Sequence, residues 1–164
     1  MENFWQIISG APWWVYVLFI YLVNVGIQSI KPRKVSINKV FLIPVFFVVW
    51  SLFGLFERIF LEHPSMIFFW IVFLGFGAYL GVKEVHSWRI EKDRHKREIT
   101  IPGNYSTLVL VVLIFGLNFF WGYFYATHAQ IPYWIYFANT ASSALVTGFF
   151  VGRAGFYFNR YLAK

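Results

Sequence analysis

Five long apolar runs, separated by polar or charged stretches, dominate the pattern of this sequence. They cover residues 12–30, 40–56, 64–82, 105–125 and 132–150. Each is close to the roughly 20 residues that an α-helix needs to cross a hydrocarbon core of ~30 Å. The pattern therefore predicts an all-α membrane protein, a bundle of five transmembrane helices that forms a single domain over residues 1–164.

The distribution of lysine and arginine predicts how this bundle is oriented. Thirteen of the 14 basic residues fall in the first connection, the third connection or the C-terminal segment, and Arg58 is the exception. Because basic residues are retained on the cytoplasmic side, the N-terminus is expected outside and the C-terminus inside. Each inward-running helix would then begin with a proline, a residue that suits the first helical turn; these are Pro12, Pro64 and Pro132.

The third connection, residues 83–104, contains two segments with a period of two. Trp88 and Ile90 alternate with charged residues, and Ile99 and Ile101 alternate with polar ones. This alternation is typical of strands with one apolar face. The sequence therefore predicts a small β-hairpin in the cytoplasmic loop between helices three and four, and a charged extension of helix three is the alternative.

Composition excludes several classes of function. Only 13% of the residues are charged, about half the share of a soluble domain. The net charge of +7 is expected from basic residues kept beside anionic lipid, so no nucleic-acid partner is predicted. The chain has no cysteine, which excludes disulfides and thiolate metal sites. It also lacks metalloprotease and phosphate-loop motifs, so no catalytic residue, metal or cofactor is predicted.

The fifth run and the residues directly after it carry two different stripes on opposite sides of a helical wheel. One stripe is polar and the other is small; the first holds Asn139, Ser142, Ser143 and Thr147, and the second Ala141, Ala144, Gly148, Gly152 and Gly155. Gly148 and Gly152, like Gly77 and Gly81 of the third run, have the spacing of a close helix-packing face. Helix five is therefore expected to be central, with protein on two sides.

The fourth and fifth apolar runs each contain one amide side chain. Asn118 and Asn139 are each about seven residues, or roughly 10 Å, from the outer ends of their helices. One interpretation is a hydrogen bond between helices four and five. The other is a polar cavity lined by Asn118, Asn139, Ser143 and Thr147, which would suit a small oligomeric transporter or channel.

The outer turns contain the remaining candidate residues. His63 and His128 fall one in each turn and could share a haem or a metal ion. Neither has ligand spacing to another histidine or to a carboxylate, so exposed loop histidines are the preferred interpretation. Glu57 is the carboxylate nearest to the apolar interior, and it is expected to form an interfacial ion pair with Arg58.

The stretch ITIPGNY at residues 99–105, the helix after it and the basic KPRK stretch at residues 31–34 resemble a family of small, uncharacterised bacterial inner-membrane proteins, known as a domain of unknown function. The resemblance extends over most of the chain. It implies a multi-pass protein of the bacterial cytoplasmic membrane, and it implies no activity and no site residues.

These observations favour a non-enzymatic membrane component over an enzyme. Its expected partners are the lipid bilayer and, in addition, a membrane-protein partner or further copies of the chain. The oligomeric transporter or channel is the first alternative, and a haem- or metal-binding membrane subunit is the second.

Overall fold

A computed structural model describes residues 13–36, 40–60, 64–88, 91–93, 98–128 and 130–162 of the chain. The described residues are mostly helical, as the apolar pattern predicted. In chain order the elements are α1 (Trp13–Gln28), β1 (Arg33–Ser36), α2 (Leu42–Phe60), α3 (Met66–Val85), β2 (Glu91–Asp93), β3 (Glu98–Ile101), α4 (Ser106–Thr127) and α5 (Tyr133–Leu162).

Three of the described helices are long and apolar enough to cross a membrane, namely α3, α4 and α5. This is fewer than the five predicted spans. The apolar part of α2 within the described side chains, Leu42–Glu57, is shorter than these three. The described part of α1 has 16 residues, which at 1.5 Å per residue extend about 24 Å. The described helices are those of a membrane protein, because three of them have the length and composition of membrane spans.

The fifth helix is longer than its apolar run. It continues to Leu162, so the prediction that it ends near Phe150 is wrong. The prediction stopped at the first cation, Arg153, whereas in the structure Arg153 is buried and Tyr157 beyond it belongs to a hydrophobic core. Burial of these side chains against other elements keeps the last turns helical.

The hairpin predicted after α3 is confirmed, and a third strand joins it. β2 and β3 pair antiparallel, and β1 pairs antiparallel with the other edge of β3, which gives the order β1-β3-β2. Val35 of β1 lies opposite Ile99, and Arg33 lies opposite Ile101. The residues of β1 were predicted as a loop, because a strand of four residues has little periodicity and its partner is distant in sequence.

The chain divides into two compact units, Met1–Pro32 with Gly103–Gln130, and Arg33–Pro102 with Ile131–Lys164. The first unit contains α1 and α4 as an antiparallel pair. Gly26 lies against Leu108, and the rings of Phe19 and Phe115 are 4.5 Å apart. Just after α1, the backbone N–H of Asn104 donates to the backbone carbonyl oxygen of Ser29 at 3.0 Å.

In the second unit α5 lies between α2 and α3. Gly77 and Gly81 of α3 lie against the carbonyls of Leu145 and Phe149, so α3 and α5 advance in the same direction and are parallel. The α2–α5 pair is antiparallel, because Phe41 contacts Phe158 whereas Phe47 stacks on Phe150. The sheet lies at the C-terminal end of α3 and α5, where Val85, Ile99 and Tyr157 form a buried core.

Candidate functional site

The polar stripe of α5 contacts α2 through hydroxyl groups. The Ser143 hydroxyl donates to Ser51 Oγ at 3.2 Å, and Thr147 Oγ1 donates to the Phe47 carbonyl oxygen at 3.3 Å. Ser51 also accepts a hydrogen bond from Trp70 Nε1 of α3 at 2.8 Å. Ser51 is only 2% exposed and Thr147 only 1%. We call this group, Ser51, Trp70, Ser143 and Thr147, the hydroxyl contact.

The hydroxyl contact joins three helices in the apolar interior. A serine hydroxyl supplies one donor and two acceptor lone pairs, and Ser51 uses its acceptors for side chains from both neighbouring helices. Interhelical bonds of this kind in membrane proteins contribute on average about 0.6 kcal/mol each. Ser143 and Thr147 therefore hold α2 to α5, with their hydroxyls directed at protein atoms.

The two asparagines of the predicted cavity lie in different units. Asn118, on α4 in the first unit, is exposed and donates from Nδ2 to the Ile114 carbonyl of its own helix at 2.9 Å. Asn139, on α5 in the second unit, is half-buried, and its backbone carbonyl accepts from Ser142 Oγ at 3.0 Å. The structure brings Ser143 and Thr147 together at α2, and a cavity shared with Asn118 stays a prediction.

The small stripe of α5 contacts α3 at backbone distance. A Cβ added to Gly148 would collide with the Leu74 carbonyl oxygen, and one added to Gly152 would collide with that of Ala78. Gly77 and Gly81 meet α5 carbonyls in the same way. We call these four glycines, Gly77, Gly81, Gly148 and Gly152, the glycine contact. Gly155, by contrast, is exposed and has open space where a Cβ would lie.

A buried ion pair lies at the end of the glycine contact. Arg153 of α5 is 7% exposed, and its Nε lies 3.5 Å from Glu84 Oε2 of α3. Arg153 also donates from an Nη atom to the Tyr157 hydroxyl at 3.3 Å. Its guanidinium carbon lies 5.2 Å from the centre of the Trp88 ring, a favourable cation–π distance. We call Glu84, Trp88, Arg153 and Tyr157 the Arg153 cluster.

The carboxylate of this cluster depends on Arg153. Both oxygens of Glu84 are buried, and neither accepts a hydrogen bond from the described residues. An uncompensated buried charge is strongly destabilising, so the ion pair with Arg153 is what makes Glu84 acceptable there. The cluster fixes the register of α3 against α5 where the sheet joins them.

The Arg153 cluster was not predicted from the sequence, because Glu84 was assigned to the third connection and Arg153 to the C-terminal segment. The apolar runs stop at Val82 and Phe150, two residues before Glu84 and three before Arg153. The available signal was the position of the charges, because both apolar runs of the glycine contact are followed by a charge within three residues. Extending both helices by one turn, in register with their glycines, would have placed Glu84 near Arg153.

The remaining candidates from the sequence are the two outer histidines and Glu57. No group of three or more histidine, aspartate or glutamate side chains there is arranged to hold a metal ion. His63 lies outside the described residues. His128 stacks on Phe124 at 4.0 Å, and its Nδ1 lies 3.1 Å from the Phe124 carbonyl oxygen. Glu57 is exposed, whereas the side chain of Arg58 lies outside the described set.

Comparison of the chain with protein-family models, with curated proteins and with solved structures gives no match.

Proposed function

We propose that this chain is a non-enzymatic membrane protein of five crossings that binds anionic phospholipid of the cytoplasmic leaflet through its basic end. The observation that carries the proposal is the parallel α3–α5 pair, which brings basic residues from separate segments to one end of the second unit. These are Arg33 and Lys34 of β1, Lys83 of α3 and Arg160 of α5. Each cation near an anionic membrane surface contributes about 1 kcal/mol of attraction.

The directions of the helices support four of these five crossings, those of α2, α3, α4 and α5. Since α3 and α5 are parallel, the chain between Val85 and Tyr133 has to return from one end of this pair to the other. The helix α4 provides a span of suitable length for the return. The helix α2 runs antiparallel to α5, and the two are in contact from the Phe41 and Phe158 rings to the Ser51 and Ser143 hydroxyls. Phe158 and Ser143 are about 22 Å apart along α5. This long contact with a spanning helix supports a crossing by α2 as well.

A lipid environment also accounts for the outer face of α2. Its largest side chains there are widely exposed, with Phe46 at 59%, Trp50 at 62% and Phe53 at 69%. A contiguous apolar face of this kind is unfavourable in water and is satisfied by lipid chains. With the basic end on the cytoplasmic side, the N-terminus is outside and the C-terminus is inside.

The test is a lipid-dependence experiment on the protein purified in mild detergent. Added phosphatidylglycerol should raise the thermal unfolding midpoint, because a ligand that binds only the folded state stabilises it. High salt should weaken this effect, since exposed charges are screened. Phosphatidylcholine with the same acyl chains is the control. An equal rise with both lipids would contradict anionic-lipid binding.

A further inference from the structure

The glycine contact continues beyond its last glycine into a cationic surface. Leu74 lies against Gly148, and Ala78 lies against Gly152, so each step of four residues on α3 matches a step of four on α5. Continued for two more steps, this register would bring Val82 toward Phe156 and His86 toward Arg160. The contact between the His86 and Phe156 rings agrees with this register, and Arg160 lies over the same Phe156 ring from within α5.

The distances define a compact patch. The His86 and Phe156 ring centres are 5.9 Å apart, and the guanidinium carbon of Arg160 lies 5.2 Å from the Phe156 ring centre. Lys83, one turn before His86 on the same side of α3, is exposed, as are His86 and Arg160. We call Lys83, His86, Phe156 and Arg160 the Phe156 patch.

The charge of the Phe156 patch is not neutralised by the described carboxylates. Two carboxylate side chains are described, those of Glu57 and Glu84. Glu84 is paired with Arg153, and Glu57 is at the opposite end of the second unit, because α2 is antiparallel to α5.

From this arrangement we infer that the Phe156 patch is a binding site for the phosphate group of one anionic phospholipid, an inference that rests on the proposed function. Arginine offers a planar fork that matches phosphate oxygens, and lysine adds a mobile positive charge. Directly beneath the cations, α3 presents an exposed apolar strip that a lipid chain would cover: Phe76, Tyr79 and Val82. A cationic end joined to an apolar strip fits a lipid better than a free phosphate ion.

Two double variants with the same change in charge separate a site from a diffuse basic surface. Lys83→Gln with Arg160→Gln removes two cations of the Phe156 patch. The control variant, Lys31→Gln with Lys34→Gln, removes two exposed cations that do not belong to the Phe156 patch. The phosphatidylglycerol concentration that gives half of the maximal thermal stabilisation should rise roughly tenfold or more in the patch variant, since each cation contributes about a factor of five, and much less in the other.

The outcomes distinguish this inference from the proposed function. Equal shifts in both double variants would overturn the Phe156 patch and leave general anionic-lipid binding intact. No phosphatidylglycerol effect in the unmodified protein would overturn both. Inorganic phosphate that stabilises as well as the lipid would overturn the assignment to a phospholipid. Lys83→Gln alone, at an exposed position, provides the same comparison if the double variant does not fold.

Discussion

The two sides of α5 are held by different forces. Toward α3, the four glycines let the helices approach until backbone faces backbone, and this contact ends in the Arg153–Glu84 ion pair. Toward α2, the contact is made by side chains, with Phe47 and Phe150 rings stacked at 5.0 Å and hydroxyl groups donating across the interface.

The two contacts illustrate the two ways in which helices associate in lipid, where no hydrophobic driving force acts between them. Lipid tails are as apolar as leucine, so helix association depends on close van der Waals packing and on interhelical hydrogen bonds. The glycine contact depends on close van der Waals packing and has no room for an added atom. The hydroxyl contact depends on interhelical hydrogen bonds and should tolerate small changes of side-chain volume. Substitutions on the two sides of α5 should therefore differ in cost.

The largest effect is expected at the end of the glycine contact. Arg153→Met removes the partner of a buried carboxylate and should lower the free energy of unfolding by about 3–5 kcal/mol. Adding Glu84→Leu should restore much of the loss, because a buried ion pair replaced on both sides is often nearly neutral. The measurement is a double-mutant cycle by denaturing-detergent titration. Additive losses would show that the two charges do not interact.

Next in size is an added methyl group within the glycine contact. Gly148→Ala places a Cβ against the Leu74 carbonyl oxygen and should cost about 1–3 kcal/mol, the usual penalty for overpacking. Gly155→Ala is the matched control on the same helix, since its Cβ would meet open space. The control should keep or slightly raise stability, by at most about 1 kcal/mol. Equal losses at both positions would argue against close approach.

A smaller effect is expected in the hydroxyl contact. Ser51→Ala removes the acceptor of two interhelical hydrogen bonds and should cost about 0.6–1.7 kcal/mol. Ser143→Ala should lower the stability less than Ser51→Ala does. In a protein that already carries Ser51→Ala, adding Ser143→Ala should cause little further loss. Thermal unfolding of the two single variants and the double variant measures this coupling. A cost for Ser51→Ala above that of Gly148→Ala would reverse the comparison.

The smallest effect is expected at Asn118. Its amide donates to the Ile114 carbonyl of its own helix and is exposed, so Asn118→Ala should change the unfolding midpoint less than Ser51→Ala does. The same unfolding experiment in detergent provides the value. A loss as large as that of Ser51→Ala would instead support the predicted hydrogen bond between helices four and five.

The features that sequence predicted are those with a local signal. The helices, the stripes of α5 and the β2–β3 hairpin each follow from the periodicity of a single segment, which reports the faces of one element. The Arg153 cluster, β1 and Trp70 of the hydroxyl contact could not be predicted in this way. Each depends on a partner far away in sequence, as when Arg33 pairs with Ile101. Helix ends were misplaced for the same reason, because burial at Tyr157 prolongs α5.

The basic end and the Phe156 patch both depend on the parallel arrangement of α3 and α5, and cysteine labelling tests this arrangement directly. The chain has no cysteine, so single substitutions report one position each, and Ser87, Gln130 and Asn159 are exposed. With a membrane-impermeant maleimide on sealed vesicles of one orientation, Ser87→Cys and Asn159→Cys should react from the same side and Gln130→Cys from the other. Labelling of Ser87→Cys and Gln130→Cys from one side would contradict the account.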